Sequence, residues 1–347
     1  MAAIVYPKKN FLKRGLFIKE LGDKKNKMTT KVLKFIKPYY IRLNFSDLAY
    51  QLFLLFLALV VLFAGTTVIS SRGFSFGEFP KKVAYFTDTQ LASVAALVNS
   101  PFYYTFKIDG TLSETGKMDD SSSPYWWLNS GGLFYLKDGM GKTIQNELPT
   151  LNKWRLAYSL SNPLDTDNGY HPQNIFRMVL RSQWRDFQQE AYFKINNLNL
   201  SASPNRNASN GLLLFNRYQD AFNLYYTGLR VDGYAVIKKK INGVYYTLAY
   251  KSFYNAAAPY NRDTNPNLLP KNTWIGLRSE VKTNPDNTVS VKFFIDKDKT
   301  GNWILIAEAT DDGKSYGGAA ILQEGYAGIR TDFMDVEFDD YRITGVF

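Results

Sequence analysis

Three carboxylates alternate near the end of the chain, in the stretch DFMDVEFDD: Asp335, Glu337 and Asp339. On a β-strand every second side chain points to the same face. Two such carboxyl groups held ~5–5.5 Å apart could serve as nucleophile and acid/base in the retaining cleavage of a glycosidic bond. A second acidic run, DKDKTG (Asp296, Asp298, Thr300, Gly301), matches the start of a calcium-binding loop. It lacks the bidentate glutamate that such a loop places at its twelfth position, where Ala307 stands instead. Because it separates two strand-like segments, a hairpin turn is the expectation there. DTDNG, from Asp165 to Gly169, is a looser version of the same pattern. The chain has one histidine, His171, in GYHPQN, and no cysteine. Disulfides, thiol catalysis and cysteine-ligated zinc are therefore excluded, and so is any multi-histidine metal site. His171 as the base of a lyase, with an arginine or lysine neutralising a uronate, is one reading; an ordinary loop residue is the other. No phosphate-binding glycine-rich loop and no G-x-S-x-G elbow occurs.

The elements that would position these residues are strands. In TVSVKFFID, Val289, Val291, Phe293 and Ile295 share one face, and Ser290, Lys292, Phe294 and Asp296 the other. AVIKKKINGVYYTL is predicted to form two strands around Asn242-Gly243, the favoured two-residue hairpin turn. TWIGLRSEVKT, WILIAEAT and GYAGIRTDFMDVEFDDYRITGV add further strands, and no long helical pattern follows Ser100. The fold class expected is all-β, an antiparallel two-sheet sandwich beginning near Pro101. In the KKK run, Lys238 and Lys240 share a face and Lys239 takes the other; a solvated edge hairpin whose lysines block edge-to-edge association accounts for them.

Before this domain the chain changes character. Residues 1–47 hold twelve Lys or Arg and three acids, a charge of +9, whereas the remaining 300 residues carry only +2. A nucleic-acid-binding body is not indicated, because the charge sits on a tail. Leu48 to Ser71 contains no charged residue over 24 positions, a helix of about 36 Å at ~1.5 Å per residue, enough for a bilayer core of ~30 Å. The positive-inside bias then places the N-terminus in the cytoplasm and everything beyond Ser71 outside. The domains expected are a basic cytoplasmic tail (1–47), a transmembrane helix (48–71), a stalk (72–100) and a β-domain (101–347). Within the tail, KVLKFIKPYYIRLNF reads either as a basic amphipathic helix on an anionic leaflet or as a disordered leader that only sets topology. An exported domain without cysteine points to a bacterial cell envelope.

The order LLLFNRYQDAFNLYYTGLRVDGYAVIKKKINGVYYTLA, WIGLRSEV, VSVKFFID, GNWILIAEATDDG and GYAGIRTDFMDVEFDDYRI resembles the concanavalin A-like lectin/glucanase superfamily, in particular laminin-G-like jelly rolls and 3-keto-disaccharide hydrolase-type domains. The resemblance covers about Gly132 to Phe347 and is specific to a fold, not to one activity. It implies that a concave sheet holds a glycan, by aromatic faces that stack on sugar rings and planar polar groups that hold hydroxyls. On that implication Arg217, Gln219, Tyr226 and Arg230 are the ligand-binding candidates, with Trp184, Arg185 and Tyr225 nearby; the alternative packs the aromatics in the core and pairs the arginines with Asp220 and Asp232. It also implies a structural calcium on the convex side, held by Asp339 or Asp340 of DDYRI. Family 16 glycoside hydrolases use a Glu-x-Asp-x-Glu strand in mid-domain; Asp335-x-Glu337-x-Asp339 departs from it in every acid and lies at the end of the chain. The function expected is a membrane-anchored, extracytoplasmic, lectin-like carbohydrate-binding domain, with a polysaccharide hydrolase or lyase of the same fold, or a protein-adhesion module, as alternatives. Its expected partners are a glycan and, through residues 48–71, the lipid bilayer.

Overall fold

The computed structural model describes residues 101–346. The basic tail, the 48–71 segment and the 72–100 stalk lie outside the described residues, and among those described no helix is long and apolar enough to cross a membrane. In chain order the strands are β1 (Phe102–Tyr104), β2 (Gly110–Ser113), β3 (Trp126–Ser130), β4 (Leu133–Lys137), β5 (Met140–Thr143), β6 (Ile175–Trp184), β7 (Phe187–Leu198), β8 (Gly211–Asp220), β9 (Asn223–Arg230), β10 (Tyr234–Ile241), β11 (Val244–Ser252), β12 (Trp274–Thr283), β13 (Val289–Lys297), β14 (Ile304–Asp311), β15 (Gly325–Asp332) and β16 (Met334–Gly345). They form two antiparallel sheets. One has nine strands in the order β14-β13-β12-β7-β16-β5-β4-β2, with β1 also on β16; the other has seven, β11-β10-β9-β8-β15-β6-β3. A nine-residue helix, α1 (Lys153–Ser161), is capped by Asn152, whose side chain accepts a hydrogen bond from the Trp154 amide at 2.8 Å.

Alternation decides which residues enter the space between the sheets. Val289, Val291, Phe293 and Ile295 of β13 all lie in the core, as their spacing predicts. They meet Leu214, Leu229, Ile237 and Ile329 of the other sheet in one continuous hydrophobic cluster. At its centre Phe338 packs on Phe134, Phe176 and Phe193 with ring centroids 5.7, 5.5 and 5.4 Å away. Burial of each such ring contributes about 1.5–3 kcal/mol. The β10–β11 turn is Asn242-Gly243, with φ of 49° and 83°, the left-handed pair that a type I′ hairpin requires.

The lysine run is not a wholly solvated hairpin. Lys239 is completely buried, and its Nζ donates to Asp311 Oδ1 at 2.9 Å and to the Gly318 carbonyl at 2.8 Å. Tyr225 Oη donates to the other Asp311 oxygen at 2.5 Å and accepts from the Ile321 amide. Lys239 and Tyr225 come from one sheet and Asp311 from the other, so this polar group ties the layers together. The face opposite Lys238 and Lys240 is the interior, and a buried ammonium is tolerated there because a carboxylate and a carbonyl receive it.

Candidate functional site

The outer face of the seven-stranded sheet carries a groove of about 410 Å³. Its floor follows from register. Arg177 of β6 lies opposite Arg330 of β15, which lies opposite Leu213 of β8. Phe215 lies opposite Tyr226 of β9, which lies opposite Lys238 of β10. The neighbours of these residues in sequence, among them Phe176, Met178, Leu214, Tyr225, Ile237 and Ile329, fill the inter-sheet core. The named side chains therefore point out of the sandwich. A second hydrophobic cluster, separate from the main core, forms here from Val179, Phe215, Tyr218 and Leu224, with Trp127, Tyr226 and Tyr326 packed against it. Phe215 and Tyr218 stack with centroids 5.4 Å apart and planes at 16°. The 205–210 loop and Asp165 make one wall, and Lys238, Lys240 and Tyr245 the other.

Polar groups stand around this aromatic floor. Arg330 Nε donates to Asp332 Oδ1 at 2.8 Å, and Arg177 Nε donates to Asn129 Oδ1 at 2.5 Å. The buried Asp332 carboxylate raises the pKa of Arg330, whereas burial lowers that of Arg177. Burial likewise lowers the pKa of Lys238, and the Arg230 charge adds to the effect. Of the two groove carboxylates, Asp332 is spent on Arg330. Burial pushes the pKa of Asp165 up, but hydrogen bonds from Ser203, Asn205 and Asn162 outweigh it and hold the carboxyl below its ordinary range. A general acid for glycoside cleavage needs the opposite, a raised pKa. Asp165 is thus not tuned to donate a proton.

The structure distributes the candidates read from the sequence. Tyr226 lines the groove. Arg230 is on the same strand face but reaches past its end, donating to the Ala208 carbonyl at 2.9 Å and pairing with Asp232 at 2.7 Å. Gln219 is exposed and donates to the backbone carbonyls of Arg217 and Glu324. Arg217 is outside the groove altogether. Register shifts between Asn216 and Asp220, and Arg217 has a φ of 48°. This bulge turns two successive residues, Asn216 and Arg217, inward, so that Tyr218 and not Arg217 faces out. The guanidinium is fully buried. It donates to the carbonyls of Arg185 at 2.7 Å and Ile321 at 2.6 Å, to Thr283 Oγ1 at 2.7 Å, and to Asp186 Oδ1 at 2.8 Å. Its partner is Asp186, not Asp220. Trp184 and Tyr225 belong to the core.

The acidic stretches are also accounted for by protein partners. Asp335 is buried and accepts from the Asn146 amide, Gln173 and Asn199. Glu337 is clasped by Lys194 at 2.5 Å and Lys142 at 3.3 Å. Asp339 and Asp340 share Lys299, which lies 2.8 Å from Asp340 and also pairs with Asp339; Tyr103 donates to Asp340 at 2.5 Å. A calcium ion needs six to eight oxygens. Here an ammonium already takes the cation's place between the two carboxylates. Among the described residues no group of three or more acidic or histidine side chains could hold a metal. The donor set does not fit calcium. Asp296 accepts from the Thr300 and Gly301 amides and from Tyr192 Oη, as a hairpin turn would have it. His171 Nδ1 is 3.1 Å from Asp167 in a loop away from the groove.

Sequence reasoning missed Arg177, Arg330 and Lys238 as groove residues. The signal was present for the arginines: each is a lone charge amid apolar strand neighbours, in IFRMV and AGIRT.

No protein-family model matches the sequence, and no curated protein matches it. Among solved structures it is similar to a carbohydrate binding module, CBM66, from Bacillus subtilis, at 16% identity over 50% of this chain and 83% of that one, with a TM-score of 0.35. It is similar to a protein of unknown function with a galectin-like fold from Bacillus subtilis, at 14% identity over 70% and 94% of the two chains, with a TM-score of 0.39. A Bacillus licheniformis beta-glucanase matches at 12% identity over 71% and 99%, with a TM-score of 0.37. The described residues themselves form an all-β sandwich of two antiparallel sheets.

Proposed function

We propose that this chain is a membrane-anchored, extracytoplasmic carbohydrate-binding protein whose groove on the seven-stranded sheet holds a glycan. The observation that carries the reading is the aromatic cluster outside the core. Phe215, Tyr218 and Tyr226 line the groove on the outer face of the sheet, with Trp127 packed against their cluster, and side chains able to donate hydrogen bonds surround them. Apolar surfaces with a few convergent polar groups are how small-ligand sites are built. The uncharged run from Leu48 to Ser71, behind twelve basic residues, supports the anchor and its direction.

Two experiments test this. The full chain in detergent is assayed against immobilised polysaccharides beside a Tyr226→Ala variant; saturable binding that the variant, still folded and held below its own Tm, loses by about tenfold or more is the expected result. Absence of binding to every polysaccharide would move weight to protein adhesion. For topology, the lack of native cysteine allows Ser46→Cys and Asn302→Cys variants to be probed in intact cells with a membrane-impermeant maleimide; only Asn302→Cys should react.

A further inference from the structure

We infer that the groove selects a glycan bearing an oxyanion, either the carboxylate of a uronic acid or a sulfate ester, and that Arg177 and Arg330 together receive it; this rests on the carbohydrate reading of the groove. The two arginines are directly opposed on neighbouring antiparallel strands. Like charges in that relation destabilise a sheet. Both side chains line the groove. The hydrogen bonds that each makes inside the protein use only Nε, to Asn129 for Arg177 and to Asp332 for Arg330. Among the described residues no hydrogen bond or ion pair engages their Nη groups. Each Nε bond fixes the plane of its guanidinium and leaves the outer edge, with its paired N–H donors, turned to whatever fills the groove.

The surrounding charge has the same sign. Lys238 lines the opposite wall with no carboxylate bonded to it, and Lys240, which donates to the Ala221 carbonyl, lies beside it. The opposing carboxylates are both committed, Asp332 to Arg330, and Asp165 to Ser203, Asn205 and Asn162. The groove is therefore a cationic cleft over an aromatic floor. A neutral sugar would use the floor and leave the Arg177 guanidinium without a counter-charge beside the Arg330–Asp332 pair. An oxyanion between them would turn that repulsion into two charge-assisted contacts, and the planar fork of arginine matches a carboxylate or sulfate edge. Asp332 balances Arg330 alone, so the opposed pair is only half compensated inside the protein and has room for one further anion.

The test uses matched pairs of oligosaccharides that differ only in charge: trigalacturonate against its methyl ester, and a sulfated galactan oligosaccharide against its desulfated form. The full chain in detergent is titrated with each, beside Arg177→Gln, Arg177→Gln/Arg330→Gln and a charge-retaining Arg330→Lys variant. The expected result is at least one charged form bound about tenfold or more tighter than its neutral partner, with that preference lost in both glutamine variants and partly kept in Arg330→Lys. Which pair shows the preference tells carboxylate from sulfate. If the double variant fails to fold because Asp332 is left unpaired, Arg177→Gln alone carries the test, since its Nε partner is a neutral amide. Equal binding of charged and neutral forms would overturn the oxyanion proposal and leave the glycan groove standing. A charge preference that the glutamine variants retain would place it on other cations, such as Lys238, Lys240 or the basic N-terminal tail, and also overturn the proposal. No binding of any oligosaccharide would sink both readings.

Discussion

Replacing Arg217 with methionine isolates what this buried cation does. The guanidinium makes four hydrogen bonds, to the β6–β7 turn through the Arg185 carbonyl and Asp186, to the end of β12 through Thr283, and to the 321 carbonyl. Methionine fills similar volume and donates nothing. Two carbonyls then lose a buried donor, and Asp186 loses its counter-charge while still accepting from the Thr283 amide at 2.6 Å. Breaking a buried pair by removing one partner costs about 3–5 kcal/mol. For a domain of this size that is a fall in Tm of roughly 6–20 °C. Thermal unfolding followed by near-ultraviolet circular dichroism measures it. Because Arg217 does not line the groove, a folded Arg217→Met variant held below its new Tm should bind glycan as the parent does. Arg217→Met with unchanged Tm, or with intact stability and lost binding, would refute the structural role and return the residue to the ligand.

Phe338→Ala should destabilise by about 3–5 kcal/mol in chemical denaturation, because three phenylalanine rings around it cannot close the cavity; a loss under 1 kcal/mol would contradict the packing described. For Glu337, burial acts to raise the pKa, but the Lys194 and Lys142 charges outweigh it and hold the value below that of a free glutamate. Its contribution to stability is therefore present above the unfolded pKa and lost as pH falls through the lower folded one, so Glu337→Gln should flatten the acid limb of a stability–pH curve and leave its shape near pH 9 unchanged. Calcium should not raise Tm relative to EDTA, since Lys299 holds Asp339 and Asp340; a clear shift that Asp340→Asn abolishes would contradict this.

Much of the sandwich is legible from alternation alone. The β13 residues enter the core as their two-residue period requires, and Asn242-Gly243 closes the hairpin that its backbone preference demands. The site was harder to read because face assignment by counting fails at an irregularity. Counting placed Arg217 beside Gln219 on one face, but no residue type in FNRYQD announces the bulge that turns the arginine inward. Lys239 failed differently. Its strand face was assigned correctly as opposite Lys238 and Lys240, but its partner Asp311 lies 72 positions away on the other sheet, beyond the reach of local pattern. The short helix α1, KWRLAYSLS, has exposed leucines at 156 and 160 and so lacks the clean apolar stripe that marks a helix in sequence.

The bulge at Asn216-Arg217 has an evolutionary corollary. In a regular strand, loss of one residue flips every side chain beyond it to the other face. Here Asn216 and Arg217 both point inward, so losing one of them would leave Tyr218 facing out beside Phe215. The aromatic face of the groove is thus buffered against a one-residue loss at this point, a change in chain length that substitution scans of the groove would not sample.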